Sequence, residues 1–137
     1  MKSPILSLML IWLVSLVPTR AMAHDGPHGG ELFCDGKHAW HTELCVDAKS
    51  GKATVYILDK KAKKEVPIGS ETISIQMKGI EKPLLFEATN SKEGKSSQFV
   101  LHHDRFKSKF KPSELTMHIV LEKGKPAVTF TPEHEDD

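Results

Sequence analysis

The sequence predicts an all-β protein with an antiparallel, immunoglobulin-like β-sandwich of about seven or eight short strands. Apolar and polar residues alternate along several short runs, and turn-forming pairs such as Asp35-Gly36 and Lys123-Gly124 separate these runs. Helical periodicity is nearly absent. The exception is one short helix expected near 104–110, capped by Asp104 and stopped by Pro112.

The predicted strands follow one another along most of the chain. Asp35-Gly36 is a strong signal for a two-residue β-hairpin between the first two strands, and Lys123-Gly124 predicts a second hairpin at the end. In chain order the predicted strands are Glu31–Cys34, Lys37–Asp47, Ala53–Leu58, Thr72–Met77, Leu84–Ala88, Ser97–His102, Leu115–Leu121 and Val128–Phe130.

Residues 1–23 have the three parts of a cleavable signal peptide. Lys2 gives a positive start, Ile5–Val17 an apolar core, and Ala21-Met22-Ala23 a small-residue cleavage pattern. The core is too short to cross a hydrocarbon layer of ~30 Å. We therefore expect a periplasmic or secreted protein without a membrane span after cleavage, composed of a β-sandwich domain at 24–132 and an acidic disordered tail at 133–137.

The composition narrows the classes of partner and activity. The chain has 19 Lys and Arg against 18 Asp and Glu. Only Lys2 and Arg20 leave with the signal peptide, so the mature chain is nearly neutral, which argues against nucleic acid as a partner. All eight His residues remain after cleavage, and a His-rich composition is typical of metal binding. Motifs for nucleophilic, phosphate-binding or HExxH chemistry are missing, so no enzyme activity is expected.

The predicted hairpin places three potential metal ligands on one face. A two-residue turn at Asp35-Gly36 sets Glu43 opposite His28, and His41 lies two residues earlier on the same side of its strand. Opposed residues have Cβ atoms ~5 Å apart, and imidazole with carboxylate suits Zn(II), Cu(II) or Ni(II). His38, by contrast, falls on the other face with Trp40 and is expected to be a packed or rim residue.

Cleavage after Ala23 adds a further ligand source, because His24 becomes the amino-terminal residue. Its amine and imidazole can chelate one ion, an arrangement that favours Cu(II). The predicted metal ligands are therefore His24, His28, His41 and Glu43, with Cu(II) or Zn(II) as the bound cofactor. The alternative is a flexible polar leader whose His residues are only solvated, since Pro27 and several glycines weaken strand pairing there.

The two cysteines, Cys34 and Cys45, leave two alternatives open. A disulfide between them is the default expectation for an exported protein. In the predicted hairpin, however, Cys45 lies ~27 Å along the strand from the partner of Cys34, whereas a disulfide needs Cα atoms within about 7 Å. The hairpin and the disulfide are therefore nearly exclusive.

The run from His24 to Gly30, followed by Asp35-Gly36 and Glu43, resembles the GPHGG…DG…E opening of a known group. This group comprises the periplasmic adaptor subunits of heavy-metal efflux systems and related small exported planctomycete-type proteins. The resemblance covers about residues 24–68 and implies a β-rich module associated with metal handling. By resemblance, His24, His28 and Gly29-Gly30 carry the motif, and Glu43 matches the acidic position. The coiled-coil hairpin of an adaptor is missing from this sequence.

These observations predict an exported metal-binding module that buffers or delivers Cu(II) or Zn(II), with a heavy-metal efflux complex as the partner implied by the resemblance. The alternative is a periplasmic interaction or structural β-domain that binds no metal.

Overall fold

The computed structural model describes residues 26–133, which form eight antiparallel strands and two short 3-10 helices. The predicted signal peptide, His24 and residues 134–137 lie outside the described residues. The strands are β1 (Glu31–Cys34), β2 (His41–Asp47), β3 (Lys52–Leu58), β4 (Thr72–Met77), β5 (Leu84–Thr89), β6 (Gln98–His102), β7 (Leu115–Ile119) and β8 (Val128–Pro132). The 3-10 helices are Asp104–Lys107 and Pro112–Glu114.

The eight strands form a single closed sheet in the order β1-β2-β3-β6-β5-β4-β7-β8, and β8 pairs with β1. The prediction of an all-β, antiparallel class is confirmed, but the immunoglobulin-like sandwich of two sheets is replaced by a closed barrel. Alternation of apolar and polar residues could not distinguish the two, because each strand has one inward and one outward face in both architectures. Closure pairs the two strands that would otherwise be open edges.

The barrel interior is filled with side chains. The interior of an eight-stranded barrel is just wide enough for side chains to fill it. Phe106, from the first 3-10 helix, packs edge-on against Phe86 of β5 with ring centroids 6.1 Å apart. Thr42 is a buried polar residue of the interior, and its Oγ1 donates to Met117 Sδ at 3.1 Å. The fully buried phenylalanines are Phe33, Phe86, Phe99, Phe106 and Phe130.

The β1–β2 hairpin forms, but the predicted two-residue turn and its register are wrong. Cys34 pairs with His41 instead of Lys37, a shift of four residues, so residues 35–40 form the connection. Asp35 Oδ1 accepts hydrogen bonds from the backbone N–H groups of Lys37 and Ala39 at 3.0 and 3.1 Å, which stabilises this wider turn. Because the shift is an even number of residues, the outward-facing set on β2 stays the same.

The predicted helix near 104–110 is shorter than expected and differently capped. Asp104 is the first helical residue, and His103 is the N-cap, with its Nδ1 accepting from the backbone N–H of Arg105 at 3.0 Å. Pro112 begins the second 3-10 helix, as its fixed φ allows at a first helical position. Within residues 26–133, no helix has the length and hydropathy needed to cross a bilayer.

Two neighbouring residues on β5 test the inward and outward faces of the barrel. Phe86 is fully buried, whereas the side chain of Leu85 is 55% exposed. We expect Phe86→Ala to lower the free energy of unfolding by about 3–5 kcal/mol, because it leaves a cavity in the core. Leu85→Ala is the matched control and should change it by no more than about 0.5 kcal/mol. Urea unfolding followed by Trp fluorescence measures both changes. An equal loss of unfolding free energy in the two variants would contradict the inward position of Phe86 and the outward position of Leu85.

Candidate metal centre

The outward face of β2 carries His41 and Glu43, yet both side chains are buried. His41 is 5% exposed and Glu43 is 0% exposed. Their neighbours Thr42 and Leu44 point into the barrel interior. Residues that precede β1 and follow β8 therefore have to cover this outer face. The segment of residues 26–30, called the leader here, covers Glu43.

Glu43 holds the leader against the sheet. Its Oε2 accepts the backbone N–H groups of His28 at 2.8 Å and Gly30 at 2.7 Å, and its Oε1 lies 2.7 Å from His28 Nδ1. A buried carboxylate needs such partners, because leaving its oxygens unpaired away from water costs several kcal/mol. Sequence reasoning correctly placed His28 beside Glu43, although through a different register.

Three contacts fix the ring of His28. Its ring stacks on Tyr56 with centroids 3.7 Å apart and planes 5° apart, and its Nε2 lies 3.1 Å from Glu65 Oε2. Glu65 Oε1 accepts from Ser97 Oγ at 2.7 Å and from Gln98 Nε2 at 3.3 Å. Both ring nitrogens of His28 thus face carboxylate oxygens. Sequence reasoning missed Glu65, which lies beyond β3 with no motif around it.

The pKa of the Glu65 carboxyl is lowered. Partial burial opposes its ionisation, but the hydrogen bonds from Ser97 and Gln98 and the nearby His28 outweigh that effect. Glu65 therefore places a negatively charged oxygen beside Nε2 of His28 at neutral pH.

Close backbone approach explains the glycines of the leader. A Cβ added at Gly26 would lie 2.4 Å from Glu43 Cδ, and one added at Gly30 would lie 2.4 Å from the carbonyl oxygen of Leu44. Gly29 has φ +81°, which L-residues with a side chain rarely adopt. The Gly-Pro-His-Gly-Gly motif therefore has a structural role, which is to let the leader lie directly on β2.

Both cysteines are free thiols. Cys34 pairs with His41, and Cys45 lies four residues further along β2, about 14 Å away at ~3.4 Å per residue. The disulfide left open by the sequence is therefore not formed. Cys45 Sγ donates to Glu43 Oε2 at 3.7 Å. Burial, then the negative charge of Glu43, then this hydrogen bond raise the pKa of Cys45 to about 12.

A second cluster lies on the same outer face, around His41. One ligand atom each from His38, His41 and Glu133 lie within 4.8 Å of one another. His41 Nε2 is 3.5 Å from Glu133 Oε2. His41 Nδ1 is 3.3 Å from the carbonyl oxygen of Asp59, which can only accept, so Nδ1 is the donor in this contact and Nε2 is the ring nitrogen that faces Glu133. We call these residues the His38–His41–Glu133 triad.

Three separate parts of the chain supply the triad. His38 belongs to the β1–β2 connection and has φ +56°, His41 begins β2, and Glu133 follows β8. The backbone N–H of Glu133 donates to the carbonyl oxygen of Leu32 at 2.9 Å, so Glu133, the first residue of the predicted tail, is held beside β1. The placement of His38 on the opposite face from His41 was also wrong, because residues 35–40 are a turn and not a strand.

The four predicted ligands consequently fall into different places. His28 and Glu43 lie together, His41 lies in the triad, and His24 is outside the described residues. The triad offers two imidazoles and one carboxylate, a ligand set found at zinc sites that keep a fourth position for water. The carbonyl of Asp59 orients His41, as a partner outside the ligand shell commonly does for metal-binding His.

The leader geometry predicts a difference between two glycine substitutions. Gly30→Ala should lower the free energy of unfolding by about 1–3 kcal/mol, because its Cβ meets backbone atoms that cannot yield. Gly69→Ala is the matched control, since a Cβ there meets nothing within 4 Å, and it should change stability by no more than about 0.5 kcal/mol. Equal midpoints in urea for the two variants would mean that the leader does not lie on β2.

The raised pKa of Cys45 predicts slow alkylation. At pH 8 the thiolate fraction of Cys45 is roughly a thousandfold lower than that of a thiol with the ordinary pKa of 9.0. Glu43→Gln removes the neighbouring charge, and the pH at which iodoacetamide labelling of Cys45 reaches half its maximum should fall by about one unit or more. Glu65→Gln is the control and should leave it unchanged. The labelling is followed by peptide mass spectrometry, and a profile unaffected by Glu43→Gln would contradict the contact.

No protein-family model, curated protein or solved structure matches this chain.

Proposed function

We propose that this protein is an exported metal-binding module that holds one Zn(II) or Cu(II) ion and buffers or delivers it. The observation that carries the proposal is the His38–His41–Glu133 triad, whose ligand atoms lie within 4.8 Å of one another. Two imidazoles and a carboxylate are suited to both ions, and Cu(II) binds such nitrogen-containing sets more tightly than Zn(II) at equal availability.

The surroundings of His41 favour a metal ligand over a core residue. Its ring is nearly buried, its Nδ1 is held by the Asp59 carbonyl, and its Nε2 faces a carboxylate oxygen at 3.5 Å. A metal ion between Nε2 and this carboxylate oxygen would be bound by both groups, and the nearby imidazole of His38 supplies a third ligand.

The amino terminus is a second source of ligands in this proposal. His24, if it begins the mature chain, brings an amine and an imidazole at a position two residues before the leader. His28 is committed to Glu43 and Glu65 through both ring nitrogens, so its binding of an ion requires one of these contacts to be displaced. Delivery to a heavy-metal efflux complex is supported by the resemblance of residues 24–68 to the adaptor subunits of those systems.

Isothermal titration of the secreted full chain with Zn(II) and Cu(II) tests the proposal. We expect one ion per chain, and His41→Ala should weaken binding at least about tenfold, since it removes the central ligand. His118→Ala is the matched control, because His118 is an exposed histidine on β7 outside the triad, and it should bind as the unaltered chain does.

Two results would overturn the assignment of the ion to the triad. If His41→Ala and His38→Ala bind the ion as the unaltered chain does and His24→Ala does not bind it, the ion is assigned to the amino terminus. Absence of stoichiometric binding in the unaltered chain would favour the alternative function, an interaction or structural domain that binds no metal.

A further inference from the structure

The barrel closes through its shortest strand pairing. β1 and β8 share two residue pairs, Phe33 with Pro132 and Cys34 with Thr131, whereas the other neighbouring strands share three to seven. Pro132 has no N–H to donate to the ladder. The hydrogen bond from the Glu133 N–H to the Leu32 carbonyl extends the pairing by one residue. We call this junction the β1–β8 seam.

The triad lies across this seam. His41 is on β2, on one side of β1, and Glu133 follows β8 on the other side. His38 belongs to the connection that leaves β1. An ion bound to all three ligands therefore joins β2 to the end of β8 over the outer surface of β1, next to the buried side chain of Cys34.

Without an ion, Glu133 is held on this face by its backbone hydrogen bond to Leu32 and by one long side-chain contact with His41. The contact between His41 Nε2 and Glu133 Oε2 is 3.5 Å long, which is beyond the range of a strong charge-assisted hydrogen bond. Separation of β8 from β1 would carry Glu133 away from His41 at the cost of this contact and few backbone hydrogen bonds. With an ion bound, the same separation must also break a metal–ligand bond.

We infer that ion occupancy of the His38–His41–Glu133 triad fastens the β1–β8 seam, so that the barrel is closed more firmly in the metal-bound protein than in the metal-free one. This inference rests on the proposed function, since it assigns a structural consequence to the same ion. The leader continues directly into β1, and its anchor Glu43 lies on β2 opposite Leu32. Fastening the seam therefore also restrains the segment that carries the Gly-Pro-His-Gly-Gly motif.

The expected effect follows from mass action. If the open seam cannot hold the ion, the fraction of time that the seam is open falls by a factor of one plus the ratio of free ion to its dissociation constant. At free Zn(II) about a hundredfold above that constant, opening becomes about a hundredfold rarer. Amide hydrogen exchange that proceeds through this opening slows by the same factor.

Hydrogen exchange of the full chain with and without Zn(II), read by mass spectrometry, tests the inference. Peptides that cover β1 and β8 should exchange up to about a hundredfold more slowly with Zn(II), whereas peptides that cover β5 and β6, on the far side of the barrel, should change little. Glu133→Gln should remove most of this protection, because it weakens the ligand beyond β8. His118→Ala should keep it.

The outcomes separate the two proposals. One Zn(II) bound per chain by native mass spectrometry, with unchanged exchange in β1 and β8, overturns the fastening of the seam and leaves the metal-binding function intact. Protection spread equally over all eight strands also overturns it, because that result reports global stabilisation. Failure to bind Zn(II) or Cu(II) at all overturns the proposed function, and the inference with it.

Discussion

The buried carboxylate of Glu43 is the interaction on which the outer face of the sheet depends. A charge without access to water needs hydrogen-bond donors, and this one receives them from the leader, through the backbone N–H groups of His28 and Gly30 and through the His28 ring. Glu43 needs the leader as a source of donors, and the leader needs Glu43 to hold it on β2. The leader is not part of a β-strand, so its position depends on the hydrogen bonds to Glu43. Glycines are needed in the leader because its backbone lies so close to β2.

The same carboxylate influences its neighbours. Burial and the charge of Glu43 keep the Cys45 thiol protonated, and Cys45 forms no disulfide within residues 26–133. The His28 ring, placed by Glu43, stacks on Tyr56 and reaches Glu65. A single acidic side chain thereby organises a cluster that includes residues from β2, β3 and the loop beyond β3. The metal proposal concerns the neighbouring triad.

Barrel closure creates the second cluster. Glu133 reaches His41 because β8 returns to pair with β1, which brings the end of the chain beside its beginning. In a two-sheet sandwich with free edges, this juxtaposition would not be required. The candidate metal site and the weakest strand junction thus have the same topological origin, and an ion at the triad would act on the fold as well as being held by it.

The sequence by itself determined the all-β class, the approximate position of each strand and the outward face shared by His41 and Glu43, because these follow from local alternation and turn chemistry. An error of four residues in the β1–β2 register left those faces unchanged, since side chains alternate with a period of two. Only the tertiary structure decided that the sheet closes, that Glu43 accepts the backbone N–H groups of the leader, and that His38 and Glu133 join His41. These contacts depend on the path of turns and on pairing between distant strands, and local sequence patterns do not encode either.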